Sequence, residues 1–246
     1  MALAGIGADL EGTHAVEAAI DAGRVRELIV ERRRAGRDDV VRLISKAKSS
    51  GAHVTMVDDV RPLAATDAPQ GVIARAVAIP TVRLDDAVHG SDLPALLVLD
   101  HVEDPRNIGA VARTAWAMGM TALVVSHRRS APIGATAFKA AVGALEHVPV
   151  VAVSSIAEAL SRLSKLDVWT VGLEGEAETS LLGLDLLSRP VALCIGAEGA
   201  GLSRLVAERC DVLARIPMVG GAESLNASVA ASLACFEVAR VRGWVS

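Results

Sequence analysis

One arginine interrupts an apolar stretch of the sequence, where it could act on an anionic group. Residues 108–116 are apolar or glycine apart from Arg113 and Thr114. Arg106 lies seven positions before Arg113, so the two share one face of any helix that contains both. A guanidinium group binds phosphate through paired hydrogen bonds and is almost never buried without a partner. Taken alone, Arg113 points either to solvent or to a site, and Asn107 is placed to cap the helix.

A glycine-rich loop follows a later apolar run. Gly196, Gly199 and Gly201 have the spacing G-x-x-G-x-G, which differs from the G-x-G-x-x-G of dinucleotide-binding loops. Three glycines in six residues indicate a sharp turn or a close approach of the backbone to another group. The pattern favours a cofactor without phosphates that is held by backbone groups. Glu198, inside this loop, is either a charge at a helix N-terminus or a residue of the site.

A third segment joins a strand to a long helix of small residues. Pro217 ends an apolar run, and a loop containing a glycine pair follows at 219–223. Either Ser224 or Asn226 can cap the helix that comes next. Residues 227–235 are mostly small, which lets a second backbone or a second subunit approach closely. An alanine-rich buried helix would explain this composition but not the polar residues at its start.

The spacing of apolar residues predicts two α/β domains joined by a linker. From residue 95 onward, aliphatic strands alternate with helices, as in a mostly parallel sheet that is covered on both faces. The predicted strands are 96–99, 123–125, 148–153, 168–171, 191–195 and 212–216, and the helices include 108–118, 156–165 and 203–209. Residues 1–80 form a smaller α/β domain, with helices at 14–22 and 38–50 and strands at 27–30, 53–57 and 72–79. The polar residues 81–94 are interpreted as a linker, which leaves 95–246 as the larger domain.

The one local excess of charge in the sequence is basic and lies in the first domain. Residues 24–48 hold nine basic and four acidic side chains, including the run Arg32, Arg33 and Arg34, although the whole chain has a net charge of −4. This surplus either binds RNA phosphates or is a solvated helix face. Aromatic residues make up 2% of the chain, so a surface that stacks unpaired bases is not expected.

Metal and membrane binding are not expected from the sequence. The three cysteines and six histidines show no metal-binding spacing, so no metal is predicted. The apolar runs are too short to cross a bilayer, and the N-terminus lacks the basic region of a signal peptide. We therefore expect a cytoplasmic protein without a membrane segment, with its cysteines as free thiols.

Residues 104–115, 194–202 and 216–226 occur in this order and resemble the three signature motifs of the SpoU (TrmH) family of SPOUT RNA methyltransferases. Residues 12–16 and 70–74 resemble the two ends of the small substrate-binding domain that precedes many SpoU catalytic domains. The similarity spans nearly the whole chain and is closest to the 23S ribosomal RNA guanosine-2′-O-methyltransferases.

The resemblance implies transfer of a methyl group from S-adenosylmethionine to a ribose 2′-hydroxyl of RNA by a homodimer. It implies a small N-terminal α/β substrate-binding domain, followed by a mostly parallel α/β catalytic domain whose C-terminal part forms the trefoil knot of SPOUT proteins. The implied catalytic residues are Arg113, Asn107, Glu198, Ser224 and Asn226. The implied cofactor-binding residues are Cys194, Gly196, Gly201, Ile216, Met218 and Leu225.

Two alternatives remain open on the sequence. A SpoU enzyme could instead modify transfer RNA or an antibiotic-resistance site in ribosomal RNA, because catalytic motifs do not define the RNA. A non-catalytic RNA-binding protein is the alternative from another class, and the joint presence of all five implied catalytic residues disfavours it. For an enzyme, we interpret Arg113 as a clamp on a phosphate and a stabiliser of the developing alkoxide, because arginine stays protonated and is a poor base.

Overall fold

The computed structural model describes residues 5–127, 132–220 and 224–245, so part of the predicted loop at 219–223 lies outside the described residues. The chain divides into two compact units. The first unit is the chain up to Pro80 together with Ile108–Arg113 and Pro132–His147. The second unit is made of Thr81–Asn107, Thr114–Ala131 and the chain from Val148 onward. The contiguous boundaries at 1–80, 81–94 and 95–246 stay a prediction.

Strands and helices alternate along most of the described chain. In order they are β1 Asp9–Glu11, α1 Thr13–Asp21, β2 Val25–Glu31, α2 Asp38–Ser49, β3 His53–Val57, β4 Val72–Ala76, α3 Leu84–His89, β5 Ala95–Leu99, α4 Pro105–Ala117, β6 Ala122–Ser126, α5 Ala135–Ala141, β7 Val150–Val153, α6 Ile156–Ser164, β8 Trp169–Leu173, β9 Thr179–Ser180, β10 Val191–Ile195, α7 Arg204–Arg209, β11 Val212–Arg215 and α8 Ala227–Val241.

The first unit is built on a four-stranded mixed sheet in the order β1-β4-β2-β3. Strand β4 is antiparallel to β1 and β2, whereas β2 and β3 are parallel. Helices α1, α2 and α5 belong to this unit, whose fully buried side chains include Leu10, Leu28, Leu43 and Phe138. Arg24 forms an ion pair with Glu146, whose side chain is 2% exposed, so the later segment of this unit is tied to the earlier one.

The second unit is built on a seven-stranded sheet in the order β7-β6-β5-β10-β8-β11-β9, in which all neighbouring strands are parallel. Every residue of the central strands β5 and β10 is buried, which explains why both are apolar throughout. Leu99 pairs with Ile195 where these two strands end, and Leu173 pairs with Ala214 where β8 and β11 end. The loops that follow these four strands therefore leave the sheet at its carboxyl edge.

Most elements agree with the pattern of apolar residues, and the mixed α/β fold with a mostly parallel sheet is confirmed. Three short elements, β1, α5 and β9, are absent from the sequence-based prediction. The stretch interpreted as a polar linker contains α3, in which Ala87 and Val88 are buried within the core of the second unit. These two apolar side chains anchor a short polar helix to the core. The pattern did not predict the helix, because residues 81–94 are polar on average.

Candidate functional site

Three polar side chains, one from each motif, form a hydrogen-bonded cluster in the second unit. The Asn107 amide donates to Glu198 Oε1 at 2.9 Å, and the Asn226 amide donates to Asn107 Oδ1 at 3.1 Å. The Asn226 amide also donates to Glu198 Oε1. These residues are 91 and 119 positions apart along the chain, so the fold brings together groups that the sequence keeps separate. Asn107 is buried, whereas Glu198 and Asn226 are exposed.

Asn226 has a second function as the N-cap of α8. Its Oδ1 accepts from the backbone N–H groups of Ser228 at 2.9 Å and Val229 at 3.3 Å, so of the two predicted candidates, Ser224 and Asn226, it is Asn226 that caps the helix. The side-chain oxygen therefore holds the helix while the side-chain nitrogen holds Glu198. An amide suits this position because its acceptor and its donor are two separate atoms.

The prediction that Asn107 caps the next helix is wrong. Helix α4 begins at Pro105, and its cap is Asp104, whose Oδ1 accepts from the Arg106 N–H at 2.8 Å. This backbone hydrogen bond, together with the Arg106 guanidinium, holds the pKa of the Asp104 carboxyl below its usual range. Proline is well suited to the first helical position, so the Asp-Pro pair starts the helix earlier than the apolar pattern shows. Asn107 is thereby freed to bind Glu198.

Glu198 does not lie at a helix N-terminus, so that alternative for it is also wrong. The next helix, α7, begins six residues later at Arg204. Asp100, which follows β5 and is 2% exposed, accepts from the Ser203 N–H at 2.7 Å and fixes the end of the glycine loop. The Glu198 carboxylate instead faces the two asparagine amides.

Arg113 lies on α4 and is exposed. Throughout the described residues its guanidinium makes no hydrogen bond and no ion pair. Arg106, which lies on the same face of α4 as Arg113, differs because its side chain pairs with that of Asp104 at 3.2 Å. An unpaired exposed guanidinium is available to an external phosphate, and it is equally what a solvated helix residue presents. The structure leaves the catalytic assignment of Arg113 as a prediction.

A cavity of about 240 Å³ opens at the carboxyl edge of the second unit's sheet. Its lining comes from the loops after β8, β10 and β11 and from the first turns of α8. It includes the predicted cofactor residues Gly196, Gly201, Ile216, Met218 and Leu225, together with Ser224. The cavity is thus formed from the second and third motifs, and it flanks the cluster because Ala197, Gly199, Leu225 and Ala227 line it on either side of Glu198 and Asn226.

The glycine loop folds back on itself to shape the cavity floor. Ala197 and Gly201 exchange two backbone hydrogen bonds, of 3.0 and 2.9 Å. A side chain at Gly196 would overlap the backbone of Gly201, and Gly201 itself has a φ of +65°. Glycine is therefore required at position 196 by close approach and favoured at position 201 by the left-handed backbone. This is the turn that the glycine spacing predicted.

Cys194 is the one predicted cofactor residue that the structure does not bring to the cavity lining. It is fully buried in β10, and a hydrogen bond with Cys210, together with burial, raises the pKa of its thiol. Burial likewise raises the pKa of Cys235 to about 12. All three cysteines are free thiols, and the two buried ones are poor nucleophiles.

One segment of the cavity was not predicted from the sequence. The last residue of β8 and the three residues after it, 173–176, all contribute to the lining, and two of them are the glutamates Glu174 and Glu176. No glycine spacing or capping pattern marks this segment. The available signal was its position: acidic residues that follow a buried parallel strand lie at the edge where ligands bind.

The three consecutive arginines of the first unit form a 3₁₀ turn after β2. Arg32 pairs with Asp58 at 3.1 Å, and Arg33 pairs with Glu31, yet both arginine side chains are more than half exposed. The basic surplus in the structure is smaller than the count of charges in residues 24–48, because acidic side chains outside this range also pair with its basic residues. Arg24 is paired with Glu146, and Lys46 contacts Glu17 and Asp21. The prediction that Arg32, Arg33 and Arg34 contact RNA remains untested by this arrangement.

Within the described parts of the chain, no group of histidine, cysteine, aspartate or glutamate side chains is arranged to hold a metal ion. Among the helices of those same parts, none is long and apolar enough to cross a membrane.

Comparison with known proteins identifies relatives for both parts of the chain. Residues 94–236 match the SpoU rRNA Methylase family, and residues 10–81 match the family described as RNA 2′-O ribose methyltransferase substrate binding. The chain is 51% identical over 179 residues to the 23S rRNA (guanosine-2′-O-)-methyltransferase RlmB of Xylella fastidiosa, which covers 70% of this chain and 71% of that protein. It is 40% identical over 242 residues to the protein of the same name from Ralstonia nicotianae, covering 96% of each chain. The crystal structure of the SpoU methyltransferase AviRb from Streptomyces viridochromogenes with the cofactor AdoMet matches with a TM-score of 0.78 and 26% identity, covering 96% of this chain and 91% of that one.

Proposed function

The chain belongs to the SpoU rRNA methylase family, and on that premise we propose that its substrate is a guanosine of 23S ribosomal RNA. As a member of this family it is an S-adenosylmethionine-dependent RNA 2′-O-ribose methyltransferase. The observation that carries the proposal is the cavity formed by the second and third motifs beside the Asn107–Glu198–Asn226 cluster. The names of the relatives at 51% and 40% identity support the choice of RNA.

The lining of the cavity fits a nucleoside cofactor that carries no phosphate. Ile216, Met218 and Leu225 supply apolar surface, and the glycine loop exposes backbone groups that can hydrogen-bond to a base and a ribose. No lysine, arginine or histidine occurs among the described lining residues, so the cavity offers no cationic side chain to a phosphate. When bound, S-adenosylmethionine supplies an electrophilic methyl group. The protein's own contribution is to hold the loops rigidly around it.

Two sets of residues would act on the RNA side of the reaction. The exposed Arg113 would bind a phosphate next to the target ribose and stabilise negative charge as the 2′-hydroxyl loses its proton. The Asn107–Glu198–Asn226 cluster would fix the glycine loop and the start of α8 relative to Asn107. The ribose hydroxyl and the methyl group are thereby aligned. Ser224 is exposed and lines the cavity, and its catalytic role is part of this proposal.

The proposed function can be tested by mapping 2′-O-methyl groups by mass spectrometry. RNA from cells with and without this protein is compared, and the purified protein is then added to the unmethylated RNA with S-adenosylmethionine. We expect one 2′-O-methylguanosine of 23S ribosomal RNA to disappear in its absence and to return on addition. Loss of a methyl group from transfer RNA, with 23S ribosomal RNA unchanged, would contradict the choice of substrate.

We also propose that the protein is a homodimer through α8. Val229, Leu233 and Phe236 are 46%, 45% and 48% exposed and lie on one face of this helix. A row of exposed apolar side chains on a helix marks an interaction surface. In sedimentation experiments we expect a dimer, and Leu233→Arg should yield a monomer. Leu205→Arg, on the equally exposed leucine of α7, is the matched control and should leave the dimer intact. A monomeric parent protein would refute the proposal.

We assign RNA recognition to the first unit, because its residues 10–81 match a substrate-binding family and the basic turn at Arg32, Arg33 and Arg34 lies there. The site of action is then the cytoplasm, where ribosomal RNA is found in the bacteria from which the relatives come.

A further inference from the structure

Glu174 is the first residue after β8, and its side chain lies beside the glycine loop of the cavity. Its N–H donates to the carbonyl of Ala214 at 3.1 Å, and its own carbonyl accepts from Ala177 at 3.2 Å, so its backbone is fixed on both sides. A methyl group added at Gly201 would lie 3.4 Å from Glu174 Oε2. The carboxylate therefore lies close to Gly201, and Glu174 is part of the cavity lining.

The Glu174 carboxylate is half-buried but has no partner. Across the described residues it makes neither a side-chain hydrogen bond nor an ion pair, whereas the neighbouring Glu198 accepts from two amides. The other acidic residue of the lining, Glu176, is exposed. A carboxylate that loses part of its hydration is normally compensated by a cation or by hydrogen-bond donors. Here the cavity itself is where the compensating group would lie.

The cofactor and its product differ in charge at one atom. In S-adenosylmethionine the sulfur carries a positive charge. When the S–CH₃ bond breaks and the O–CH₃ bond forms, the bonding electrons stay on sulfur, and the hydroxyl proton leaves the ribose. S-adenosylhomocysteine is therefore neutral at sulfur and lacks the transferred methyl group, but is otherwise identical. A negative group in a partly buried cavity acts strongly on this difference, because charges are poorly screened there.

We propose that Glu174 is a specificity-determining residue whose carboxylate favours the positively charged cofactor over the neutral product. This inference rests on the proposed function, in that it takes S-adenosylmethionine as the ligand of the cavity. As a consequence, methyl transfer itself weakens the binding of the ligand in the cavity, because the positive charge that Glu174 attracts is lost from the sulfur. Product release and reloading are then driven by the chemistry of the reaction.

The test compares three ligands by calorimetry with the full-length protein and its Glu174→Gln variant. S-adenosylmethionine and sinefungin carry a positive charge at or near the sulfur position, whereas S-adenosylhomocysteine does not. We expect Glu174→Gln to weaken the two charged ligands about tenfold, or roughly 1.4 kcal/mol, and the neutral one less than about twofold. Glu174→Asp keeps the charge and should keep most of the preference for the charged ligands. Glu178→Gln is the matched control, because Glu178 is exposed in the same segment and does not line the cavity.

The possible outcomes separate this inference from the function beneath it. An equal loss of affinity for all three ligands would overturn charge selection, because a contact between Glu174 and a neutral group such as a ribose hydroxyl would explain that loss. Unchanged affinities would overturn it as well. If the parent protein bound none of the three ligands, the cofactor assignment itself would fail. Thermal melting of each variant shows that the fold is retained, and if Glu174→Gln does not fold, loss of the preference in a folded Glu174→Asp variant would overturn the inference.

Discussion

At the residue scale, Arg113 carries the strongest prediction about catalysis. Its exposed guanidinium has no partner among the described residues, so its removal leaves no buried charge and should not disturb the fold. If it clamps a phosphate and stabilises the alkoxide, Arg113→Ala should lower single-turnover methyl transfer at least about a hundredfold. Arg113→Lys should fail in the same way, since a point charge does not reproduce the planar fork of donors.

The same experiment has a built-in comparison. Arg204→Ala removes another exposed arginine, from the surface pair with Glu208 on α7, and should transfer methyl groups at the parent rate. S-adenosylmethionine affinity should be unchanged in all of these variants. Transfer by Arg113→Ala within a few-fold of the parent protein would show that Arg113 is only a solvated helix residue.

Asn226 offers a second prediction, because its cap and its contact with Glu198 use different atoms. Asn226→Asp keeps an oxygen to cap α8 but replaces the donor nitrogen with a second carboxylate oxygen beside Glu198. We expect a loss of about 1 kcal/mol of stability at pH 7. The loss should shrink as the pH falls, because repulsion raises the pKa of one carboxyl of the pair in the folded state and its protonation removes the repulsion.

Thermal denaturation at pH 7 and pH 5 measures this effect. Asn226→Ser is the matched control, since serine also caps a helix and adds no charge, so its loss of stability should not depend on pH. The same pH-independent loss in Asn226→Asp would mean that Glu198 does not sense the new charge.

The types of the residues indicated which positions belong to the candidate site, but they did not indicate which of its side chains contact one another. The close approach of the backbone at Gly196 and the helix cap at Asn226 could both be predicted from the sequence, because glycine and asparagine have few other structural reasons to occur in such places. The pairing of Asn107 with Glu198 was not, since a side chain's partner 91 positions away depends on tertiary packing. Glu174 was missed for a related reason: a glutamate is ordinary on a surface, and only its neighbours in space make it unusual.

At the element scale, α8 joins the cavity, the candidate dimer face and the loop after β9. Its Glu237 is buried and accepts from the Gly183 N–H at 2.6 Å and from Arg240 Nε and Nη2, each at 2.7 Å. The Arg240 hydrogen bonds, followed by that from Gly183, hold the pKa of Glu237 below its ordinary value of 4.5. The ionised carboxylate therefore stabilises the fold above that pH, and its contribution is lost as the pH falls through the lowered pKa.

Glu237→Gln should therefore flatten the acid side of the stability profile. We expect the variant to be less stable than the parent protein at pH 7 and to approach it as the pH falls below about 4. Urea denaturation at several pH values gives the free energies of unfolding. Glu208→Gln changes an exposed glutamate of α7 and should follow the parent profile. A constant difference between Glu237→Gln and the parent protein at all pH values would rule out the ionised carboxylate as the cause.

Elements differed in how well the sequence predicted them. The strands β5 and β10 were evident because both faces of each are buried, so every residue is apolar. The three-residue strand β1 is too short to show a period, and α3 was masked by the polar residues around its two buried side chains. Helix α4 was found but its start was misplaced, because the Asp104 cap precedes the apolar pattern by several residues.

At the scale of the whole molecule, the chain's division into units could not be read from local pattern. The segments Ile108–Arg113 and Pro132–His147 belong to the first unit although the sequence around them predicts the second. The knot implied by the family resemblance stays a prediction for the same physical reason. Knots are nearly absent from proteins, and the threading of a chain leaves no trace in hydrophobic period or turn residues.

This division decides how RNA binding by the first unit should be tested. Removing residues 1–80 would strip the partners of the later segment, including the ion pair of Glu146 and the packing around the fully buried Phe138. A loss of RNA binding in such a truncation would be indistinguishable from misfolding. Substitutions in the full-length chain avoid this problem, because Arg32 and Arg33 are more than half exposed and their ion pairs are weak in water.

Replacing Arg32, Arg33 and Arg34 together with alanine should weaken RNA binding and flatten its dependence on salt. Each phosphate contact contributes about 0.7 to the slope of log affinity against log salt concentration for single-stranded RNA, so losing three contacts lowers the slope by up to about 2. Binding measured at several salt concentrations gives this slope directly. Lys46→Ala is the control, because Lys46 belongs to the same basic stretch but already contacts Glu17 and Asp21, and it should leave the slope unchanged. If the triple variant also kept the parent slope, the arginine turn would be an ordinary solvated surface, and the RNA-binding face of the first unit would have to lie elsewhere.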